Sequence, residues 1–167
     1  MQYDEIMINL MAADSVLSYL QDFFLSAVVS MAFAVLFVTP AKYIPLIGLG
    51  GAVYHLSRSV CLAADLGIVA SSFIASVVIS IIFILIVPRI RVPRPVFTVS
   101  SIVPIIPGKF AYMTLLSMIK IHDNPGMREQ YIVSIFENGL LTAFVMLAIG
   151  LGIAAPALLF YRNRPVV

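Results

Sequence analysis

Charge is what this sequence most conspicuously lacks. Only 11% of its 167 residues are Asp, Glu, Lys or Arg, while 62% are apolar. A soluble domain usually carries about 25% charged and about 45–50% apolar residues. Mean hydropathy is correspondingly high, +1.08. So much apolar surface cannot be hidden inside a chain this short, because small domains still expose much of their area. A soluble globular enzyme and a disordered tail are both excluded, and an integral membrane protein remains. Cysteine occurs once, at Cys61, which rules out an internal disulfide and any cysteine-based metal site. The two histidines, His55 and His122, are far apart and lack ligand spacing, so no metal or other cofactor is expected. The net charge of +2 is small and the basic residues are scattered, which argues against a nucleic-acid partner. The start, Met1-Gln2-Tyr3-Asp4-Glu5, is acidic where a cleavable signal would be basic.

Other absences narrow the chemistry. No hydrolase triad or paired-carboxylate site is visible, and Gly48-Leu49-Gly50-Gly51 lacks the Lys-Ser/Thr ending of a phosphate loop. No internal repeat is found. An enzyme is not expected.

Long apolar runs are what the sequence does have. A spanning helix needs about 20 mainly apolar residues at a rise of 1.5 Å each. Five segments qualify: Val16–Val38, Ile44–Ala64, Gly67–Val87, Val96–Ile119 and Leu140–Phe160. The fold class expected is therefore all-α, a single polytopic membrane domain over residues 1–167 with five transmembrane helices. Residues 1–15 are expected to contain an amphipathic helix at Tyr3–Asp14 lying on the membrane surface. Lys42, Arg89, Arg91, Arg94, Arg162 and Arg164 fall on one side of these spans, against Lys120 and Arg128 on the other. The positive-inside rule then puts the N-terminus outside and the C-terminus in the cytoplasm. The turn Pro88–Pro95 reads as a basic, proline-rich headgroup anchor.

Serines and small residues recur at four-residue spacing: Ser26, Ser30 and Ala34; Ser72, Ser76 and Ser80; Ala148 and Gly152. Such rows mark close helix contacts, with a hydrated path as the alternative. Ionisable residues inside spans cost about 2.5–3.5 kcal/mol each at mid-membrane, so each needs a reason. Gly51, His55 and Arg58 share one face of the second span, flanked by Tyr54 and Ser59. A cation and an imidazole there suit an anionic substrate and a proton-linked step, or a snorkelling arginine and a histidine bonded to a neighbouring carbonyl. Asp22, beside Gln21, is either interfacial, a proton carrier, or a partner for a buried cation such as Arg58.

The fourth span is expected to break at Pro104-x-x-Pro107-Gly108, since proline removes backbone hydrogen bonds and constrains the residue before it. Non-helical backbone survives in lipid only when buried in protein or facing a water-filled cavity. Broken helices of this kind recur at transporter substrate sites. The candidate substrate-binding set is therefore Arg58, Ser101, Pro104, Pro107, Gly108, Lys109 and Tyr112, with Asp22 and His55 as candidate proton couplers.

Around this motif the sequence resembles the threonine/serine exporter family. The similarity is greater to its short, YjjB-like members, small subunits of a two-component exporter linked to succinate. The residues that carry it are Pro95-Val96-Phe97-Thr98-Val99, Pro104-x-x-Pro107-Gly108, Ala111-Tyr112, Gln21-Asp22, His55-x-Ser57-Arg58, Pro156, and Tyr161-Arg162-x-Arg164-Pro165. The resemblance implies a multi-pass protein of the cytoplasmic (inner) membrane that exports small carboxylate or amino-acid solutes. It also implies a larger, YjjP-like membrane subunit as partner, a homo-oligomer being the alternative. Lys109 departs from the uncharged residue the resemblance implies there, and so bears on anion preference. The rival readings are a non-transporting scaffold for a larger transporter and a passive anion channel.

Overall fold

In the computed structural model the described residues are 2–86, 93–123 and 125–161. Most of the basic proline-rich turn (87–92), together with Arg162, Arg164 and Pro165, lies outside the described residues. Among the described residues six α-helices follow one another: α1 (Gln2–Leu36), α2 (Ile44–Ala63), α3 (Ile68–Ile86), α4 (Arg94–Ile102), α5 (Gly108–Asp123) and α6 (Arg128–Tyr161). No strand occurs among the described residues. Four stretches are long and apolar enough to cross a membrane singly: Leu17–Leu36, Ala41–Ala63, Ile68–Ile86 and Arg128–Phe160. Pro95–Ile105 and Gly108–His122 make a fifth only as a bent pair, at 59°. The chain is an all-helical, polytopic membrane protein. The expected surface helix at Tyr3–Asp14 is continuous with the first span inside α1.

Local chemistry sets the helix ends. At the end of α1 the Val38 N–H donates to the Val35 carbonyl and the Thr39 N–H to the Ala34 carbonyl, each at 3.0 Å. This paired closure requires a left-handed residue at its centre. Val38 takes that role at φ 54°, and Pro40 stops any continuation. The end of α2 closes in the same way, with Asp65 at φ 58° and N–H groups of Asp65 and Leu66 donating to the carbonyls of Leu62 and Cys61. Gly67, at φ 69°, then turns the chain into α3.

The fourth span breaks in two stages. Pro104 sits at the start of a short 3₁₀ turn, Val103–Ile105, where its missing N–H matters least. Ile106, the residue before Pro107, is extended at φ −55°, ψ 133°, as a pre-proline position favours. Helix α5 restarts after Pro107, and the direction changes there.

Helices pack where side chains are smallest. Gly51 of α2 faces Ser30 of α1 so closely that a Cβ would collide with the serine hydroxyl, and a Cβ at Gly48 would stand 2.7 Å from Met31. Gly50 receives Ser101 of α4 and Phe83 of α3, at 2.5 and 2.6 Å from where its Cβ would be. A Cβ at Gly152 of α6 would stand 2.6 and 2.8 Å from Ser76 and the Phe73 carbonyl of α3. Bilayer helices gain little from burying apolar side chains away from equally apolar lipid, so this close approach is the main source of cohesion. Ser26, Ser30, Ala34, Ser72, Ser76, Ser80 and Ala148 are all buried in these seams, beside a core of Ile47, Tyr54, Ile79, Phe83 and Phe97. Pro156 interrupts the hydrogen bonding of α6, and Ser80 of α3 donates to the nearby Ile153 carbonyl at 3.0 Å. A neighbouring serine thus serves a carbonyl in the disturbed turn.

Candidate functional site

The polar residues of the membrane region converge on α2. Glycines at 48, 50 and 51 draw α1 and α4 in around its first half. One to two turns later, Tyr54, His55 and Arg58 project toward the neighbouring helices. His55 faces α1, with Nε2 3.7 Å from a carboxylate oxygen of Asp22. Arg58 faces α3 and donates from Nε to the Ser72 hydroxyl at 3.0 Å. Tyr54 is fully buried, and its hydroxyl lies 3.3 Å from that of Ser76. The two serines are themselves anchored, Ser72 donating to the Ile68 carbonyl and Ser76 to the Ser72 carbonyl, each at 2.7 Å.

This arrangement divides the charges. The imidazole has a carboxylate beside it. Arg58, by contrast, has a neutral hydroxyl as its hydrogen-bond partner, and no ion pair involves it among the described residues. A guanidinium carries five N–H donors in a fixed fork and is never deprotonated in proteins. With Nε engaged by Ser72, its terminal nitrogens remain available for a carboxylate, in the two-pronged geometry that arginine favours. Asp22 is 56% exposed and the His55 side chain 23%, so this pair is open to the surroundings on its α1 side.

The other expected site residues are distributed differently. Ser101 is completely buried and donates to the Ile47 carbonyl of α2 at 3.1 Å. Its own carbonyl, in the last turn of α4, receives the Ser30 hydroxyl at 3.5 Å. Helix termini leave such carbonyls without intrahelical partners, and here α1 supplies one. Pro104 is half-buried and Pro107 buried at the break. Gly108, Lys109 and Tyr112 are exposed on α5, the helix that packs against α6, whereas Arg58 and His55 belong to the α1–α2–α3 packing unit. The structure therefore brings Asp22, His55 and Arg58 into one neighbourhood and gives Lys109 and Tyr112 a different surface. The sequence reading missed Ser72 as the arginine's partner. The four-residue serine row on α3 carried the signal, but nothing in one dimension says which helix faces it.

No group of three or more His, Cys, Asp or Glu among the described residues is placed to hold a metal.

Comparison with known proteins gives this geometry its context. An uncharacterised protein of Haemophilus influenzae is 33% identical over 151 residues, covering 90% of this chain and 50% of that relative. The chain thus spans about half the length of the curated relative it matches. No solved structure matches it. Residues 22–159 match the family described as Threonine/Serine exporter, ThrE, from Asp22 at the candidate site to nearly the end of α6. A multi-pass helical protein with a broken span fits that match, and the chain belongs to the threonine/serine exporter family.

Proposed function

We propose that this chain is a subunit of a membrane exporter of small carboxylate solutes, a dicarboxylate such as succinate or the amino acids threonine and serine. Arg58 would receive the substrate carboxylate and the Asp22–His55 pair would couple a proton. The observation that carries this reading is the Arg58 guanidinium, held in place by the Ser72 hydroxyl and without a carboxylate partner among the described residues. An uncompensated cation within a span costs a few kcal/mol, and an anionic substrate offsets that cost while bound. A substrate that gains more from one helix arrangement than another shifts their balance, which is the thermodynamic requirement for alternating access. The broken α4–α5 span supplies a bend between α4, which packs with α1 and α2, and α5, which packs with α6, while the α3–α6 seam ties the two sides together.

The relative's greater length supports a larger membrane subunit that completes the exporter, a second copy of this chain being the alternative. We place the protein in the cytoplasmic membrane with the N-terminus outside, on the positive-inside count.

Labelled-substrate counterflow in proteoliposomes tests the proposal, with succinate and threonine offered to the purified chain and then to the chain with its larger partner. Exchange is expected in at least one of these, and Arg58→Ala should lower kcat/KM by at least about tenfold, as loss of a charged hydrogen-bond pair implies. Unaltered kinetics in folded Arg58→Ala protein would remove the arginine from the substrate site. Equal transport by the partner with and without this chain would favour the scaffold, and flux without exchange would favour the channel.

A further inference from the structure

Helix α5 finds its packing partners in α6 and in the turn that joins them. The seam between the two helices is small and polar. The Ser117 and Ser134 hydroxyls lie 3.0 Å apart, and Asn138 donates to the Ser134 carbonyl and hydroxyl at 2.9 and 3.1 Å. Thr114 touches Gly139. These contacts fix the register of an antiparallel hairpin. With Ser117 opposite Ser134, Lys109 stands level with residue 142, about 8 Å along the axis from Glu137 at 1.5 Å per residue.

They also fix the faces. With Thr114 and Ser117 turned toward α6, the 3.6-residue period puts Lys109, Met113 and Leu116 on one flank of α5. With Ser134 and Asn138 turned toward α5, Glu137 and Phe144 occupy the flank of α6 on that same side of the hairpin. Lys109 and Glu137 are both exposed, and neither forms an ion pair among the described residues. Each lies within a stretch apolar enough to belong to a span. Charged residues in spans almost always face a bundle interior or a water-filled cavity. These two face away from their own bundle on one exposed flank, where other protein can cover both. The face carries one charge of each sign, so a two-fold contact between identical surfaces can set each opposite the other. The first turn of α5 has no acidic residue, so a carboxylate arriving there meets Lys109 and the positive end of the helix together.

We propose that a second copy of this chain packs on the α5–α6 face about a two-fold axis along the membrane normal, Lys109 of each copy pairing with Glu137 of the other. Met113, 39% exposed, lies between the two charges, and Phe144, 54% exposed, lies just beyond the level of Lys109; together they form the apolar part of the contact.

The test uses the full chain in lipid nanodiscs. Cys61→Ser removes the native thiol and Met113→Cys reports contact by disulfide cross-linking, with native mass spectrometry counting copies. Wild-type charges should give a cross-linked dimer. Lys109→Glu and Glu137→Lys, each expressed alone, oppose like charges and should lower the cross-linked fraction by about tenfold. Co-expressed with different tags, the two variants restore both pairs in trans, and the mixed dimer should return to the wild-type level. That recovery also shows that both variants fold. A monomeric wild-type chain, single variants that dimerise normally, or a mixture that fails to recover while each chain keeps its helical circular dichroism would each overturn the proposal. So would recovery only when both changes sit in one chain, which would indicate a pair within the monomer. Cross-linking seen only to a different membrane subunit would overturn it in favour of that partner.

Discussion

Two left-handed residues close two helices here, and they are not equivalent. Asp65 tolerates φ 58° because short polar side chains visit this region readily. Val38 at φ 54° is β-branched, and a left-handed conformation costs an ordinary residue roughly 1–2 kcal/mol. Its side chain is 88% exposed, so removing it loses little packing. Glycine gives back about 0.5–1 kcal/mol through its freer unfolded chain. Val38→Gly should therefore stabilise the protein by about 0.5–1 kcal/mol, read as a higher unfolding temperature in detergent. A lower unfolding temperature would mean that the valine is held there by contacts that outweigh its strain. Arg58 belongs to the same scale. The sequence places it one turn from His55, but its Ser72 partner lies 14 residues away on another helix. That pairing is a property of packing.

At the scale of elements, α6 contains its own control. Gly150 has open space where a Cβ would stand, whereas a Cβ at Gly152 would meet Ser76 and the Phe73 carbonyl at 2.6 and 2.8 Å. Gly150→Ala should be neutral or stabilising by up to about 1 kcal/mol from helix propensity. Gly152→Ala should destabilise by about 1–3 kcal/mol because backbone cannot yield as a side chain can. Thermal unfolding of the two variants side by side checks this. Equal effects would mean that the α3–α6 seam does not rest on this contact. The break in the fourth span is legible in Pro104 and Pro107 themselves, because a missing N–H and a pre-proline restriction act locally. The direction α5 takes afterwards is not legible in them, since it depends on the Ser117–Ser134 and Thr114–Gly139 contacts with α6.

At the scale of the whole molecule, the proposed orientation counts the bent α4–α5 pair as a fifth crossing, which puts the two ends on opposite membrane faces. A fluorescent protein fused after Val167 should fold and fluoresce on the cytoplasmic side, while alkaline phosphatase fused there should stay inactive. The reverse pattern would overturn the orientation drawn from the basic residues. The exposed faces at this scale are mostly apolar, as lipid requires, with residues such as Leu115, Ile119, Phe136, Leu140 and Leu158 turned outward. Lys109 and Glu137 stand out against them, and the exchange of charges between copies tests whether a second chain covers them.

Class and the site of the helix break followed from the sequence alone, as did the four long apolar spans and the bent fifth candidate. They depend on the thickness of a bilayer, the rise of a helix and the backbone chemistry of proline, all of which act along one dimension. Asp22, His55 and Arg58 could be flagged in the same way, because charge in an apolar run is costly wherever the run ends up. Only the tertiary structure decided that Asp22 meets His55, that Arg58 meets Ser72 instead of a carboxylate, and that Lys109 faces away from both. Those outcomes turn on which small residues let which helices approach, and a glycine reveals its neighbour only once the helices are packed.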